Sequence, residues 1–454
     1  VMVQASQQQN ASRRQQTHLH LSSRIQTRNI RQSSKTMKVY KFGGASVKNA
    51  DGVRNLKHII DGESELFIIV SAMGKTTNAL EAVFDAYRTG DLATAQSKID
   101  EIAAYHQAII DDLFGEHRTL GQVEALISEL QRFITTVPYD ALRAEERYDR
   151  TVAFGELIST TIISEWLNFA GVANHWVDMR RCFVTQFRHK DANVFIEEST
   201  PLLRREVAGS PERVFVGQGF IGSAADGSTT TLGREGSDYS AAVVAHILDA
   251  ESMTVWKDVD GILNADPKIF PEAQKIDALN YVDTIELAYS GAQIIHPKTI
   301  KPLQNKSIPL FVRPFGDKSA SGTRIDGTAE DVKVPIIILK RNQSLLTLRS
   351  RDLSFVLEEK FPIVFSILER FRIKTNLIHN SAVDLNLCTE SSWRLEEAAA
   401  ALQAEGFDTT IDEEVELLTI RNHHDEVLKA HTFSERNIVK QIDARTVRVI
   451  LRKE

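Results

Sequence analysis

Three short loops in the chain combine glycine with hydroxyl, basic or acidic residues, and each stands beside an apolar run. They occupy residues 41–44, 71–78 and 233–238. Glycine allows the backbone to approach a ligand closely, and successive backbone N–H groups bind anions. Together with their lysines and arginine, the loops predict a site for the phosphate chain of a nucleotide, although each loop alone is a weak signal.

The third loop leads into an apolar-periodic segment at 241–248 and therefore predicts the start of a helix. Ser237 and Asp238 are residue types that cap helices, and the free N–H groups of a helix start attract phosphate or carboxylate. Arg234 adds a planar charged fork for the same anions. An ordinary capped helix after a glycine turn is the alternative, and this stretch alone does not decide between them.

Three carboxylates, Asp238, Asp258 and Asp266, stand in or after these loops. Mg²⁺ is usually held by one or two carboxylates together with substrate phosphates. The sequence therefore predicts Mg²⁺ as a companion of the nucleotide, with no pattern for a metal site built from protein alone.

Short apolar runs alternate with helical patterns over the first two thirds of the chain. The run at 66–70 is continuous, as in a buried parallel strand. This alternation predicts an open α/β sheet, in which ligands bind at the carboxyl ends of the strands. The predicted strands are 39–42, 66–70, 175–177, 214–216, 253–256 and 308–312, the last of this part of the chain.

A cluster of glycine, serine, aspartate and lysine without periodicity at 316–334 predicts a domain boundary. We expect a first domain at 37–325 and a second region at 335–454. The second region has the βαββαβ order of a ferredoxin-like unit, and 421–454 is too short for a complete second unit. Its predicted elements are 344–348, 361–371, 376–379, 384–388, 393–405 and 415–420, with a final strand at 446–451.

The first 36 residues contain six basic residues, no acid and no apolar periodicity, so we expect them to be disordered. An acid-poor leader rich in arginine and serine also resembles an organelle transit peptide, such as that of a plastid. We favour a third interpretation, in which Met37 is the natural start, because a strand begins directly after it.

Charge and cysteine content limit the partners and the compartment. The net charge is −7 although the leader is basic, and an acidic body argues against nucleic acid as a partner. No stretch approaches the roughly 18 apolar residues of a membrane helix. Cys182 and Cys388 form no metal or redox pattern, so a reducing compartment and a cytoplasmic location are expected.

Five stretches, taken in order, resemble the signatures of aspartokinases, which belong to the amino-acid kinase family. They are 41–46 (KFGGAS), 70–74 (VSAMG), 154–156 (FGE), 229–241 (TTTLGREGSDYSA) and 256–261 (WKDVDG). The resemblance extends from about residue 39 to the C-terminus. It implies an amino-acid-kinase-like open α/β domain followed by a ferredoxin-like regulatory domain of the ACT type.

The resemblance also implies a reaction. Aspartokinases transfer the γ-phosphate of ATP, with Mg²⁺, to the β-carboxylate of L-aspartate, giving 4-phospho-L-aspartate on the route to lysine, threonine and methionine. A homodimer through the C-terminal domain and an amino-acid effector are further expectations. Two alternatives remain open, namely another carboxylate kinase of the same family and a non-catalytic amino-acid sensor.

Roles on the substrate side follow from the same resemblance. Glu156 is expected to receive the substrate amino group, and Arg234 to grip a substrate carboxylate. Ser71 and Thr77 are expected near the substrate or the phosphate oxygens.

On the phosphate side, Lys41 is expected to contact the transferred phosphoryl group and Asp238 to orient that lysine. Gly43 and Gly44 would let the backbone approach the phosphates. The residues expected to hold the nucleotide are Lys257, Asp258, Asp266 and Lys268.

The sequence departs from the family pattern at several places, including Asn264 and Ala265, where other members often have an aromatic residue and a hydroxyl. Gln293 stands where many members carry a nucleotide-contacting lysine, and Lys298 and Lys268 are the candidates to compensate. Asn376 replaces an aspartate that commonly binds the amino group of the effector. Inhibition by lysine or threonine therefore does not follow from the sequence, and an amino-acid site near Ser350, Asn376 and Ser381 stays open.

Overall fold

Two β-sheets organise the residues that the computed structural model describes, which are 37–292, 295–352, 360–432 and 435–453. The predicted leader at 1–36 and the departure at Gln293 lie outside the described residues. The strands of the first part are β1 Lys38–Phe42, β2 Leu66–Val70, β3 His175–Val177, β4 Val214–Gln218, β5 Ile221–Ser223, β6 Thr229–Thr231, β7 Ser252–Lys257, β8 Ile262–Leu263, β9 Lys275–Ile276, β10 Ala278–Asn280, β11 Leu310–Pro314 and β12 Thr323–Asp326.

The first sheet has eight strands in the order β10-β12-β11-β7-β1-β2-β4-β3, and neighbours from β11 to β3 run parallel. Alternate residues of a strand point to opposite faces, so the apolar run of β2 supplies two cores. Ile68 joins one core with Phe42, whereas Ile69 joins the other with Val39. The predicted open α/β sheet is confirmed.

Nine helices of the first part cover these two faces within the described residues. The core on one face includes residues of α1 to α5, and the core on the other includes residues of α6 to α9. None of the described helices is long and apolar enough to cross a membrane. The helices are α1 Ala50–Ile60, α2 Thr76–Thr89, α3 Leu92–Phe114, α4 Gly121–Thr136, α5 Ala144–Phe169, α6 Ile196–Gly209, α7 Gly236–Ile247, α8 Tyr281–Ser290 and α9 Pro297–Gln304.

Two predictions about this part were wrong. The strand near 308–312 is not the last, because β12 follows inside the segment 316–334 and pairs antiparallel with β11. Residues 229–231, interpreted as part of a turn, form β6 and pair with β5. Both strands have only three or four residues, which is too short for an alternating pattern to be recognised.

The second sheet is antiparallel, with the order β14-β15-β13-β16-β18-β17. Its first six elements follow the predicted βαββαβ order, which confirms the ferredoxin-like unit. The elements are β13 Ile336–Ser350, α10 Phe361–Arg370, β14 Thr375–Asn380, β15 Asp384–Glu390, α11 Arg394–Ala404, β16 Phe407–Arg421, α12 Asp425–His431, β17 Asn437–Ile442 and β18 Thr446–Arg452.

Strands β13 and β16 are each 15 residues long and extend well beyond their predicted bounds. Each therefore contributes one part of its length to the ferredoxin-like unit and another part to a second unit. The polar run at 340–343 concealed the continuity of β13, whose pairing with β16 shifts register there. Residues 336–340 pair with 417–421, beside β18 and β17. Strands β17 and β18 are therefore completed to a four-stranded unit by the beginning of β13 and the end of β16, with α12 as its helix within the described residues.

A buried ion pair connects the second region to the first part of the chain. Arg421, at the end of β16, donates from Nη2 to Asp283 Oδ1 of α8 at 2.6 Å, and both side chains are buried. Arg445 lies 3.7 Å from the same Asp283 oxygen, and Arg421 Nη1 lies 3.8 Å from Glu286. Removing one partner of a buried pair leaves an uncompensated charge, so this contact ties folding of the second region to the first.

We expect Asp283→Asn to lower the free energy of unfolding by about 3 kcal/mol or more, because Arg421 would lose its buried counterion. Urea unfolding followed by far-UV circular dichroism measures this change. Asp384→Asn is the matched control, since Asp384 pairs with the exposed Arg349 and such surface pairs contribute less than about 1 kcal/mol. Equal losses in the two variants would contradict a special contribution of Asp283.

Candidate active site

Two lysines at the carboxyl ends of adjacent central strands face one carboxylate. Lys41 lies in β1, Lys257 ends β7, and Asp238 lies in the first turn of α7. Asp238 Oδ1 is 2.7 Å from Lys41 Nζ, and its Oδ2 is 3.7 Å from Lys257 Nζ. The chain continues from β1 to β2 on one side while β7 lies on the other, and open α/β sheets bind ligands at such a reversal.

The two lysines keep the carboxylate of Asp238 ionised. Burial alone would raise the pKa of Asp238, but the adjacent Lys41 and Lys257 outweigh that effect and hold its pKa below the usual range. Asp238 is therefore ionised at neutral pH. An ammonium has three N–H donors, so Lys41 can contact Asp238 and still donate to a phosphate.

The start of α7 differs from the predicted capping. The helix begins at Gly236 after Glu235, which has a φ of +53° and provides no side-chain cap. Ser237 and Asp238 thus lie within the first turn, and the prediction that they cap the helix was wrong. Gly219 makes this approach possible, because a Cβ there would stand 2.4 Å from Ser237 Cβ. The N–H groups of Gly236, Asp238 and Tyr239 donate to the Gly233 and Glu235 oxygens, so this helix start offers an anion mainly the positive end of its dipole.

Glu156 is a buried acid, and only one of its two carboxyl oxygens accepts a hydrogen bond. Its Oε1 accepts a hydrogen bond from the N–H of Ala72 at 3.2 Å, while its buried Oε2 has no partner among the described residues. Burial raises the pKa of Glu156 to about 8, against the opposing effects of Ala72 and Lys41. A buried carboxylate with a free oxygen fits a ligand that brings its own positive charge.

Glycines bring three of the sequence motifs together at Ala72. Gly44 accepts a hydrogen bond from the N–H of Gly74 at 2.9 Å, and a Cβ on Gly44 would stand 2.3 Å from the Ala72 oxygen. A Cβ on Gly155 would stand 2.9 Å from Ala72 Cβ. Three parts of the site are therefore in direct contact: the glycine loop after β1, the loop after β2, and the turn of α5 that carries Glu156.

The other predicted residues surround this centre. Ser71 and Thr77 are half-buried at the end of β2 and the start of α2. Gly43 has room beside Lys41, whose Nζ would lie 3.7 Å from a Cβ there. Arg234 is exposed and has neither ion pair nor hydrogen bond with a described residue, so its guanidinium is available to a ligand.

Two cavities share Lys257. One, of about 550 Å³, is lined by Lys48, Asp258 and Asp260. The other, of about 310 Å³, is lined by Ile262, Asp266 and residues 336–339 of the second sheet. The apolar walls of the smaller cavity fit a nucleotide base, whereas the larger cavity carries more carboxylates than lysines and would need a cation to accept phosphates.

The predicted acidic residues do not form one cluster. No group of three acidic, histidine or cysteine side chains in the described part of the chain could hold a metal by itself. Asp238 is engaged by its two lysines, whereas Asp266 accepts the N–H of Lys268 at 2.9 Å. Lys298, a candidate to compensate for Gln293, instead contacts Asp191 Oδ1 at 2.9 Å and the Leu232 oxygen at 3.3 Å.

Sequence reasoning missed one buried acid close to this site. Asp149 lies in α5 and is fully buried, and it binds the segments at 189–190 and 231. The only available signal was its spacing of seven residues from Glu156, which places both on one helix face.

Comparison with known proteins agrees with this geometry. The model of the amino acid kinase family matches residues 36–314. The lysine-sensitive aspartokinase 3 of Escherichia coli is 32% identical over 363 residues, covering 78% of each chain. The chain belongs to the amino acid kinase family and, within it, to the aspartokinases.

Solved structures support the same family. The crystal structure of E. coli aspartokinase III in complex with aspartate and ADP has a TM-score of 0.78 and 27% identity, covering 92% of this chain and 96% of that one. The chain spans 63% of the chloroplastic aspartokinase 1 of Arabidopsis thaliana, at 30% identity. It spans 32% of a chloroplastic bifunctional aspartokinase/homoserine dehydrogenase of Zea mays. The predicted family and fold are confirmed.

The raised pKa of Glu156 makes a prediction about stability. Between its ordinary pKa and about 8, the folded protein holds a proton that the unfolded chain has lost, so stability falls as pH rises through this window. We expect the wild type to lose up to about 1.4 kcal/mol per pH unit relative to Glu156→Gln. Urea unfolding of both proteins from pH 5 to 9 measures the difference, and a difference independent of pH would contradict the burial effect.

Proposed function

We propose that this chain is an aspartate kinase, which transfers the γ-phosphate of ATP to the β-carboxylate of L-aspartate. One observation carries the proposal: the buried, half-satisfied Glu156 lies beside the Lys41–Asp238–Lys257 group. Glu156 fits the ammonium of an amino acid, and the group of two lysines and Asp238 fits a phosphoryl group. The similar E. coli enzyme was solved with aspartate and ADP, which supports the same ligands here.

On the substrate side, Glu156 binds the α-ammonium of aspartate with its free oxygen. Arg234 binds the α-carboxylate with its guanidinium fork, which matches a carboxylate in two parallel hydrogen bonds. The hydroxyls of Ser71 and Thr77 donate to the substrate or to phosphate oxygens. These contacts leave the β-carboxylate to face the γ-phosphate.

The chemical step needs no general base, because the β-carboxylate is ionised at neutral pH. A carboxylate oxygen attacks the γ-phosphorus, the bond to the bridging oxygen of ADP breaks, and 4-phospho-L-aspartate forms. Lys41, oriented by Asp238, neutralises the charge on the phosphoryl group, assisted by the N–H donors of Gly43 and Gly44 and by the dipole of α7. Positioning and charge neutralisation account for most catalysis of phosphoryl transfer.

The nucleotide spans the two cavities that meet at Lys257. Lys257 and Lys268 contribute positive charge, and Asp266 lies at the rim of the smaller cavity. The exposed carboxylates of Asp258 and Asp260, which share the larger cavity, fit Mg²⁺ as a ligand set of few carboxylates completed by phosphate. When bound, the ion supplies charge neutralisation at the β- and γ-phosphates.

The second region acts as a regulatory domain in this proposal. A further solved structure of the E. coli enzyme contains lysine and aspartate in a T-state, which supports an amino-acid effector. Asn376 is already satisfied internally, because its Oδ1 accepts from Lys340 Nζ and its Nδ2 donates to Gln343. An effector site near Ser350 and Ser381 would therefore use groups other than Asn376. We also propose a homodimer through the second region and a cytoplasmic location.

Lys41→Met should lower kcat about 1,000-fold in protein that is still folded, because the substitution removes a donor to the phosphoryl group. Its melting temperature should also fall, since the buried Asp238 keeps only Lys257 as a counterion. ADP release in the presence of ATP and L-aspartate measures kcat. Lys38→Met is the matched control, since Lys38 lies in the same strand but pairs with Glu63. An unchanged kcat in Lys41→Met would show that the phosphoryl site is assigned wrongly.

The KM for L-aspartate should fall about tenfold per pH unit from pH 6 to about 8, because binding of the ammonium must displace the proton of Glu156. Glu156→Gln should bind aspartate weakly and remove most of this dependence. The KM for ATP, measured in the same titration, is the internal control. An aspartate KM that is flat with pH in the wild type would exclude Glu156 as the ammonium partner.

A further inference from the structure

Asp149 is the acceptor of four hydrogen bonds in the interior of the protein. Its Oδ1 accepts from Thr231 Oγ1 at 2.6 Å, and its Oδ2 accepts from the N–H of Thr231 and of Lys190, both at 3.0 Å. His189 Nδ1 lies 2.9 Å from Oδ2. Asp149 has no exposed surface, so these donors replace its hydration completely.

The donors belong to two segments, one of which carries Arg234. Residues 189–192 and 231–234, which we call the Arg234 collar, are also bound to each other. The N–H of Ala192 donates to the Thr231 oxygen at 2.9 Å. Lys298 Nζ bridges Asp191 Oδ1 and the Leu232 oxygen. A Cβ on Gly233 would stand only 2.6 Å from Asp191 Oδ1, so the segments are in close contact.

Helix α5 carries both Asp149 and Glu156. Seven residues separate them, which corresponds to about two helical turns and roughly 10 Å along the axis. Glu156 contacts the loop after β2, whereas Asp149 holds the Arg234 collar. One rigid helix thus connects the residue proposed for the substrate ammonium with the segment that carries the residue proposed for the substrate carboxylate.

We propose that Asp149 is a positioning residue for substrate binding: it fixes the Arg234 collar on α5 and so sets Arg234 relative to Glu156. The inference rests on the proposed function and deepens it, because it names how the aspartate site is held. Asp149 does not touch the substrate; it acts through Arg234.

A carboxylate is required at this position, since all four groups around it can donate and an ionised aspartate only accepts. Asparagine would turn an NH₂ group toward at least one of these donors. The collar would then shift, and Arg234 would lose its fixed distance from Glu156.

Asp149→Asn should raise the KM for L-aspartate about tenfold, with kcat at saturating aspartate and the KM for ATP within about twofold of wild type. Thr231→Val, which removes one donor and keeps the shape, should raise the aspartate KM about threefold. Asp283→Asn is the matched control: it alters a buried, paired carboxylate at the contact with the second region and should leave the aspartate KM unchanged.

A double-mutant cycle with Arg234→Ala separates positioning from general destabilisation. If Asp149 acts through Arg234, Asp149→Asn should add less than about twofold to the aspartate KM of Arg234→Ala. Full additivity, or an unchanged aspartate KM in both Asp149→Asn and Thr231→Val, would overturn the inference. If Asp149→Asn fails to fold, Thr231→Val alone decides. An unchanged KM in Arg234→Ala by itself would remove Arg234 from the proposed function, and this inference with it.

Discussion

The buried ion pair between Lys41 and Asp238 is the constraint on which the rest of the site depends. Two charges withdrawn from water are stable only when they stay in contact, so β1, β7 and the first turn of α7 must converge within a few ångströms. Gly219 allows that convergence by leaving space for Ser237. The result is an oriented ammonium beside the positive end of the α7 dipole, which suits a transferring phosphoryl group.

The substrate half is built around α5 in the same manner. Gly155 lets the helix pack against Ala72, and this contact buries Glu156 with one oxygen unsatisfied. The unsatisfied oxygen makes the free protein less stable at high pH and gives the site its affinity for an ammonium. Below about pH 8 the free site holds a proton on Glu156, which the substrate ammonium must displace when it binds.

The sequence predicted the central strands well, because continuous apolar runs such as 66–70 have few alternatives to a buried strand. It also indicated that the glycine loops belong to one site, and Gly44 and Gly155 both pack closely against Ala72. Short strands such as Thr323–Asp326 and the continuity of Ile336–Ser350 were missed because tertiary pairing, and not local pattern, determines them. Asp149 was missed for a similar reason: its donors come from segments 40 and more than 80 residues away along the chain.

The central claim is that this chain phosphorylates L-aspartate on its β-carboxylate. The purified full chain, incubated with ATP, Mg²⁺, L-aspartate and hydroxylamine, tests it most directly, because hydroxylamine converts an acyl phosphate into a hydroxamate that forms a coloured complex with Fe³⁺. We expect hydroxamate to form in proportion to the ADP released and to be absent when L-aspartate is omitted. Folded protein that releases no ADP and forms no hydroxamate would contradict the account.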